Sequence, residues 1–285
     1  MPPMESTGTA LDADWLGACR AAVAALREIL RDAPRTRERA VETGVRGEGG
    51  DRTLVIDQAA EDAVFAQLDA LHDAGHRFTA VSEERGEVDY GDDGVRVVID
   101  PIDGSLNAKR LLGPVALSIA VADGPTMADV RFAFVHDFGT GEEWRATSGG
   151  GAFLDDVALD RSLPERRGES GRLELLGVEM AEPQAVAASV AALERETERL
   201  RVFGAIAVTL CQVAAARLDG MLSLRRCRAV DAAAAQLIVR EAGGHVAFPR
   251  CEGGPLSAPL DVTPHSPVVS ARSEETLARL ANVPA

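Results

Sequence analysis

Asp100 and Asp103 stand three apart in the run Val97-Val98-Ile99-Asp100-Pro101-Ile102-Asp103-Gly104-Ser105, directly after three β-branched residues. An extended chain sends two side chains at that spacing to opposite faces. Asp followed by Pro, with Gly just beyond, favours a turn that would bring them to one side. Two carboxylates held together repel unless a positive charge lies between them. Two further acids occupy comparable places: Glu83 follows the apolar run Phe78–Ser82, and Asp231 opens a run from Val230 that closes at Gly243-Gly244. Taken singly, Asp231 is a helix N-cap, Glu83 a solvated charge and Asp100 a turn former. Together they are the oxygen-rich donor set that hard divalent cations require, with Mg²⁺ keeping an octahedral shell completed by water and substrate phosphate. Two such ions about 4 Å apart can hold an attacking water on one side of a phosphoryl group and the leaving oxygen on the other. His72 and His76 have the spacing of a zinc pair, but Gly75 intervenes and no third ligand is near, so they read as an exposed helix end.

The elements that must position these acids follow from periodicity. Asp12–Arg31 carries Leu16, Ala22, Val23, Leu26, Ile29 and Leu30 on one side, an amphipathic helix. The charged, Gly-rich stretch Pro34–Asp51 reads as a loop, and Gln58–Ala74 as a second helix ended near Gly75. Strands are expected over Phe78–Ser82, Val95–Ile99, Val115–Ala122, Val130–Phe138 and Glu142–Thr147, with hairpin spacing among the later members. Gly149-Gly150-Gly151 is a turn, since no Lys-Ser/Thr follows it as a phosphate loop requires. Ser162–Gly171 is a polar connection. Beyond it the order becomes strand Leu173–Val178, helix Pro183–Glu198, strand Leu200–Phe203, helix Ala205–Leu218, strand Gly220–Leu224, helix Asp231–Ala242, strand Val268–Ala271 and helix Glu274–Ala281. An antiparallel-rich α+β half of about 1–160 is thus followed by an α/β half of about 170–285, the two forming one catalytic unit.

Composition narrows the surroundings. The chain has 285 residues, 46% hydrophobic and 26% charged, the balance of a folded globular protein. Its net charge is -15, with Lys109 the one lysine among 30 basic residues. Such a surface repels phosphate backbones and anionic lipid, so neither direct nucleic-acid binding nor a membrane is expected. Cys19, Cys211, Cys227 and Cys251 are scattered without a CxxC pair, which suits a reduced, cytoplasmic setting. The acidic, polar start lacks the pattern of a signal peptide.

The motifs Asp-Pro-Ile-Asp-Gly-Ser-Leu-Asn at 100–107 and Val-Asp-Ala-Ala-Ala-Ala-Gln-Leu-Ile-Val-Arg-Glu-Ala-Gly-Gly at 230–244 resemble the two signatures of the inositol monophosphatase family. The acids of Val81-Ser82-Glu83-Glu84 and the segment around Thr53 and Asp57 match its upstream motifs, and residues 201–220 are similar to the archaeal branch that acts on both inositol phosphate and fructose bisphosphate. The matches run in family order from about Arg46 to Gly244. The resemblance implies the layered αβαβα fold of sugar phosphatases and two or three Mg²⁺ ions per site. It implies a first ion on Glu83, Asp100 and the Ile102 carbonyl, a second on Asp100, Asp103 and Asp231, and a third shared by Glu83. It further implies that the Ser105 hydroxyl, oriented by Asp57, works on the attacking water, and that the Gly104 and Ser105 amides face the phosphate.

Val230 stands where many members carry Trp, and Ser105 where many carry Thr; an apolar contact and a hydroxyl survive. The Glu with which many inositol phosphatases grip substrate hydroxyls would fall on Leu224, or on Ser223 in the archaeal-like register, so that acid is missing. Arg225, Arg226 and Arg228 stand close by instead, and Arg225 is the candidate contact to a second phosphate. The expected substrate is a small phosphate ester, inositol monophosphate first, fructose 1,6-bisphosphate next and a nucleotide 3′-phosphate more distantly, handled by a homodimer. A non-catalytic assembly factor of the same fold is the rival reading, because some bacterial relatives join transcription complexes.

Overall fold

The computed structural model describes residues 10–48, 52–92 and 94–284. The first nine residues, on which the leader reading rests, lie outside the described residues, as do the last three of the expected loop at 34–51.

Helix α1 (Trp15–Asp32) opens on Asp14, whose carboxylate accepts from the Gly17 amide at 2.9 Å, and buries Trp15, Cys19, Ala22, Val23, Leu26 and Leu30. A short helix α2 (Thr36–Arg39) follows, then two antiparallel strands, β1 (Glu42–Arg46) and β2 (Arg52–Leu54). This ribbon corrects the expectation of a loop at 34–51. Its residues 42–44 are solvent-exposed and alternate no apolar face, so periodicity could not reveal it. Helix α3 (Val55–Asp73) lies beside α1, and their apolar stripes cover one face of the first sheet.

That sheet comprises β3 (Thr79–Ser82), β4 (Gly86–Asp89), β5 (Arg96–Asp103), β6 (Ala116–Ala122), β7 (Val130–Asp137), β8 (Glu143–Thr147), β9 (Gly151–Leu154) and β10 (Val157–Ala158), with the short helix α4 (Ser105–Arg110) after β5. Its order is β10-β9-β8-β7-β6-β5-β3-β4, antiparallel throughout except where β3 runs parallel to β5. β4, β9 and β10 were not foreseen; they are short strands toward the sheet's edges whose exposed or half-buried positions blur the alternation.

The second sheet is built from β11 (Leu176–Glu179), β12 (Leu200–Arg201), β13 (Gly220–Ser223), β14 (His245–Ala247) and β15 (Val269–Ala271), in the order β12-β11-β13-β15-β14. Helices α5 (Pro183–Glu196) and α8 (Glu274–Leu280) pack on its outer face through Leu193, Leu277 and Leu280. Between the sheets lie α6 (Ile206–Ala214) and α7 (Ala229–Glu241), sharing one core with both. A helix wedged between two sheets must be apolar all round. Ala232, Ala233, Ala234 and Ala235 of α7 are each at most 1% exposed, and their small side chains let the sheets approach closely. The five layers are α1/α3, first sheet, α6/α7, second sheet, α5/α8.

Candidate active site

Strand β5 buries Val97, Val98 and Ile99 completely and then delivers its acids. The chain does not reverse there. Asp100 pairs with Ser118 and Asp103 with Ala116, so three steps on β5 oppose two on β6 and the strand bulges at Pro101-Ile102. The extra residue changes the side-chain parity, and both carboxylates line one cleft of about 370 Å³. The expected turn is therefore a bulge within a continuing strand. The Ile102 amide donates to Asp100 Oδ1 at 3.0 Å. Gly104, at φ 91°, then turns the backbone into α4; a Cβ there would lie 2.9 Å from the Pro114 carbonyl oxygen. Ser105 Oγ donates back to the Ile102 carbonyl at 3.1 Å.

The second half of the chain clasps these acids. Asp103 accepts from the Ile206 amide at 3.2 Å and the Ala207 amide at 2.8 Å, in the first turn of α6. Asp231, also in the first turn of α7, accepts from the Arg228 amide at 2.8 Å. Glu83, just past β3, points its Oε1 at Arg228 Nη1, 2.6 Å away. Glu83, Asp100, Ile102, Asp103, Gly104, Ser105 and Asp231 all border the same cleft, joined by Glu179, Arg226 and Arg228.

The electrostatics are those of crowded like charges. Burial raises the Asp100 carboxyl well above the usual range, and Asp103, Glu83 and Asp231 push it further. Burial, then Asp231, raises Asp103, against the pull of the Ala207 and Ile206 amides. Among the described residues no three His, Cys, Asp or Glu side chains are already gathered as around a bound ion. The donor set is nonetheless all hard oxygen, and its raised carboxyls are what a cation would lower, so the residues fit a divalent ion.

Asp57 lies beside this cleft, bordering a recess of about 20 Å³ shared with Ser105, Glu83 and Asp100. One of its oxygens accepts from the Leu54 amide at 3.2 Å; the other, Oδ1, is buried with no partner among the described residues. Burial pushes its carboxyl up to about 6. Among the described residues no hydrogen bond joins it to Ser105, whose hydroxyl faces the Ile102 carbonyl.

Arg225 is set apart. Its guanidinium pairs with Glu182 and borders a neighbouring groove, whereas Arg226 and Arg228 reach the cleft. Consecutive residues in an extended segment point in different directions, so an arginine cluster in sequence does not become one in space. At the two positions without the acid, Leu224 is buried, and Ser223 Oγ donates to the Arg225 carbonyl and accepts from the Val268 amide. Two buried acids escaped the sequence reading. Glu61 bonds to Ser82 Oγ and is pushed up to about 7, chiefly by burial. Glu179 accepts from the Phe203 and Gly204 amides and from Thr209 Oγ1, fixing the turn that leads to α6. The available signals were a Glu inside the apolar stripe of α3 and a Glu ending an apolar strand.

Two sheets alternating with three helical layers, and an acid-lined cleft where the middle helices meet the first sheet, define the αβαβα sandwich of sugar phosphatases. Residues 13–283 match the model of the inositol monophosphatase family, and the chain belongs to that family. It is accordingly a phosphatase, a hydrolase by class. It is 34% identical over 242 residues to the fructose-1,6-bisphosphatase/inositol-1-monophosphatase of Methanothermobacter thermautotrophicus, covering 80% of this chain and 82% of the relative. It is also 34% identical over 210 residues to the Nus factor SuhB of Escherichia coli, covering 73% and 75%. A solved inositol monophosphatase–fructose 1,6-bisphosphatase shares the fold at a TM-score of 0.79 and 24% identity, over 95% of this chain and all of that one. The suhB protein from Bartonella henselae does so at 0.76 and 24%, over 94% and 98%.

Proposed function

We propose that the protein is a Mg²⁺-dependent phosphomonoesterase that hydrolyses a small polyol or sugar phosphate, inositol monophosphate foremost, by attack of water. One observation carries the reading: Glu83, Asp100, Asp103 and Asp231, from three separate segments, border a single cleft, where burial and their neighbours' charges raise the carboxyls of Asp100 and Asp103. Glu83, Asp100 and the Ile102 carbonyl would hold a first ion, Asp100, Asp103 and Asp231 a second, and Glu83 would share a third. Bound there, Mg²⁺ supplies a lowered pKa for water and neutralisation of phosphoryl charge.

The chain's own groups do the rest. Gly104 and Ser105 present backbone amides to the phosphate, on a turn that only glycine can make. Ser105 Oγ orients the attacking water. Asp57, whose carboxyl burial pushes up to about 6, would take up the proton through that hydroxyl once Ser105 Oγ turns from the Ile102 carbonyl toward it. No covalent intermediate is required. The protein works on this small molecule as a cytoplasmic homodimer.

A bisphosphate substrate is a second reading, favoured by the guanidinium of Arg226 bordering the cleft and by the lack of an acid at positions 223 and 224. Arg226, rather than Arg225, is the residue to test. Phosphate release should be measured with Mg²⁺ on inositol 1-phosphate and fructose 1,6-bisphosphate. Arg226→Ala should lower kcat/KM for the bisphosphate selectively, by about 1–3 kcal/mol for a lost charged hydrogen bond. Equal losses on both substrates would make the arginine structural. Absence of turnover on any ester, with capture of RNA polymerase in a pull-down, would favour instead the assembly role named for the SuhB relatives.

A further inference from the structure

We propose that Arg228 is a counter-cation which the metal must displace: its guanidinium neutralises Glu83 in the metal-free protein and is released toward the phosphate when the ion takes that carboxylate. The inference rests on the metal-site reading above. The contact is close and sheltered, Nη1 to Oε1 at 2.6 Å with both side chains 19% exposed. It joins two distant parts of the chain, Glu83 past β3 in the first sheet and Arg228 at the N-terminus of α7. The Arg228 main chain is anchored independently, since its amide donates to Asp231 Oδ2. Relocation of the guanidinium would therefore not require the backbone to shift.

Charge explains why it would move. An arginine cannot give up its proton, so it leaves a carboxylate only by relocating. Glu83, Asp100, Asp103 and Asp231 together carry up to four negative charges when ionised, and one guanidinium offsets a single one of them. A dication and a guanidinium on the same carboxylate would repel strongly within a sheltered cleft. Once dications cancel the acids, the arginine is surplus positive charge beside the place where a phosphate dianion binds. Planar bidentate donors suit that ligand. Arg226 borders the same cleft with no acidic partner among the described residues, so it does not compete for Glu83 and serves as the control. The consequence is an order of events: ion first, then phosphate.

The test is calorimetric titration of the substrate-free protein with MgCl₂. Arg228→Gln should bind Mg²⁺ more tightly than wild type, on the order of tenfold for one displaced charged contact, and its melting temperature should rise more on Mg²⁺ addition. Arg226→Gln should show no comparable gain. In saturating Mg²⁺, Arg228→Gln should bind inorganic phosphate on the order of tenfold more weakly than wild type. A merely structural arginine would weaken metal binding when removed, so equal or weaker Mg²⁺ affinity overturns the proposal and leaves the metal site standing. Unchanged phosphate affinity overturns the release step. No Mg²⁺ binding by wild type would remove the metal-site reading and this inference with it. Should Arg228→Gln fail to melt cooperatively, Arg228→Lys, with its shorter reach to Glu83, should still bind Mg²⁺ more tightly than wild type, and an equal or weaker affinity again overturns the idea.

Discussion

Asp100 is buried, negatively charged when ionised, and surrounded by Asp103, Glu83 and Asp231. Its ionised form costs the empty protein stability, so Asp100→Asn should leave the metal-free fold as stable as wild type or more so. Phosphate release should fall by at least about a hundredfold, because the carboxylate proposed to serve both ions is lost; thermal melts in EDTA and a phosphate assay read the two effects separately. Near-normal turnover would sink the assignment of Asp100. Glu61 makes a second case, and its sign is distinctive. Its folded value, about 7, lies above the ordinary 4.5 of a glutamate. Its contribution to stability is thus fully present below about 4.5 and lost as pH rises through about 7. Glu61→Gln abolishes that dependence, and in metal-free protein the variant should gain on wild type from pH 5 to pH 8 by up to about 3 kcal/mol. Parallel denaturation curves at the two pH values would refute it.

Strand β5 is where an element becomes a site. Three residues there were legible for plain reasons: β-branched side chains mark a buried strand, and acids at its end mark a place to hold something. What the sequence could not convey was the bulge. Asp-Pro followed by Gly carries turn chemistry, and only the facing strand β6 decides that pairing continues beyond it. Helix α1 was equally legible from its apolar stripe, and α3 and α7 from the glycines that close them. The ribbon β1–β2 and the strands β4 and β9 were not, because short, half-exposed strands lack the alternation that reports a face. Gly104 links this element to the next. At φ 91° and ψ 40° it sits where a side chain strains the backbone, with the Pro114 carbonyl, the Gly204 carbonyl and Ala205 pressing on its open side. Gly104→Ala should cost about 1–2 kcal/mol of stability for the left-handed conformation alone. Its kcat should fall further than that implies, on the order of a hundredfold if Asp103 or Ser105 is displaced by an ångström. Denaturation and steady-state kinetics on the same preparation would separate these losses.

At the scale of the whole molecule, the acids come from both halves of the sequence, with Glu83, Asp100 and Asp103 on the first sheet and Asp231 on a helix that follows the second sheet's β13. A cation held among them ties the layers together in the folded state only. Mg²⁺ at a hundred times its dissociation constant should therefore raise stability by about 2.7 kcal/mol, and EDTA should remove that gain. A melting temperature indifferent to both would argue against a bound ion. Among the described residues, every strand of the eight-stranded sheet precedes residue 160 and every strand of the five-stranded sheet follows residue 170. The helices blur that line. α7, from the later half, packs its alanines against the earlier sheet, and no periodicity in the sequence assigns a uniformly small, buried helix to one neighbour over another.

Asp103 and its two amide donors, Ile206 and Ala207, are separated by a hundred residues of chain, yet form one joint. Inheritance feels that joint. In a chimera that takes residues before 160 from one relative and the remainder from another, each parent supplies a complete sheet with its own outer helices, and both pieces retain their internal pairing. The carboxylate then meets a clasp with which it shares no ancestry. Recombination between relatives will preserve folding more readily than hydrolysis, and the segment from Phe203 to Ala207 must travel with the Asp100–Ser105 motif for the chemistry to pass intact to the offspring.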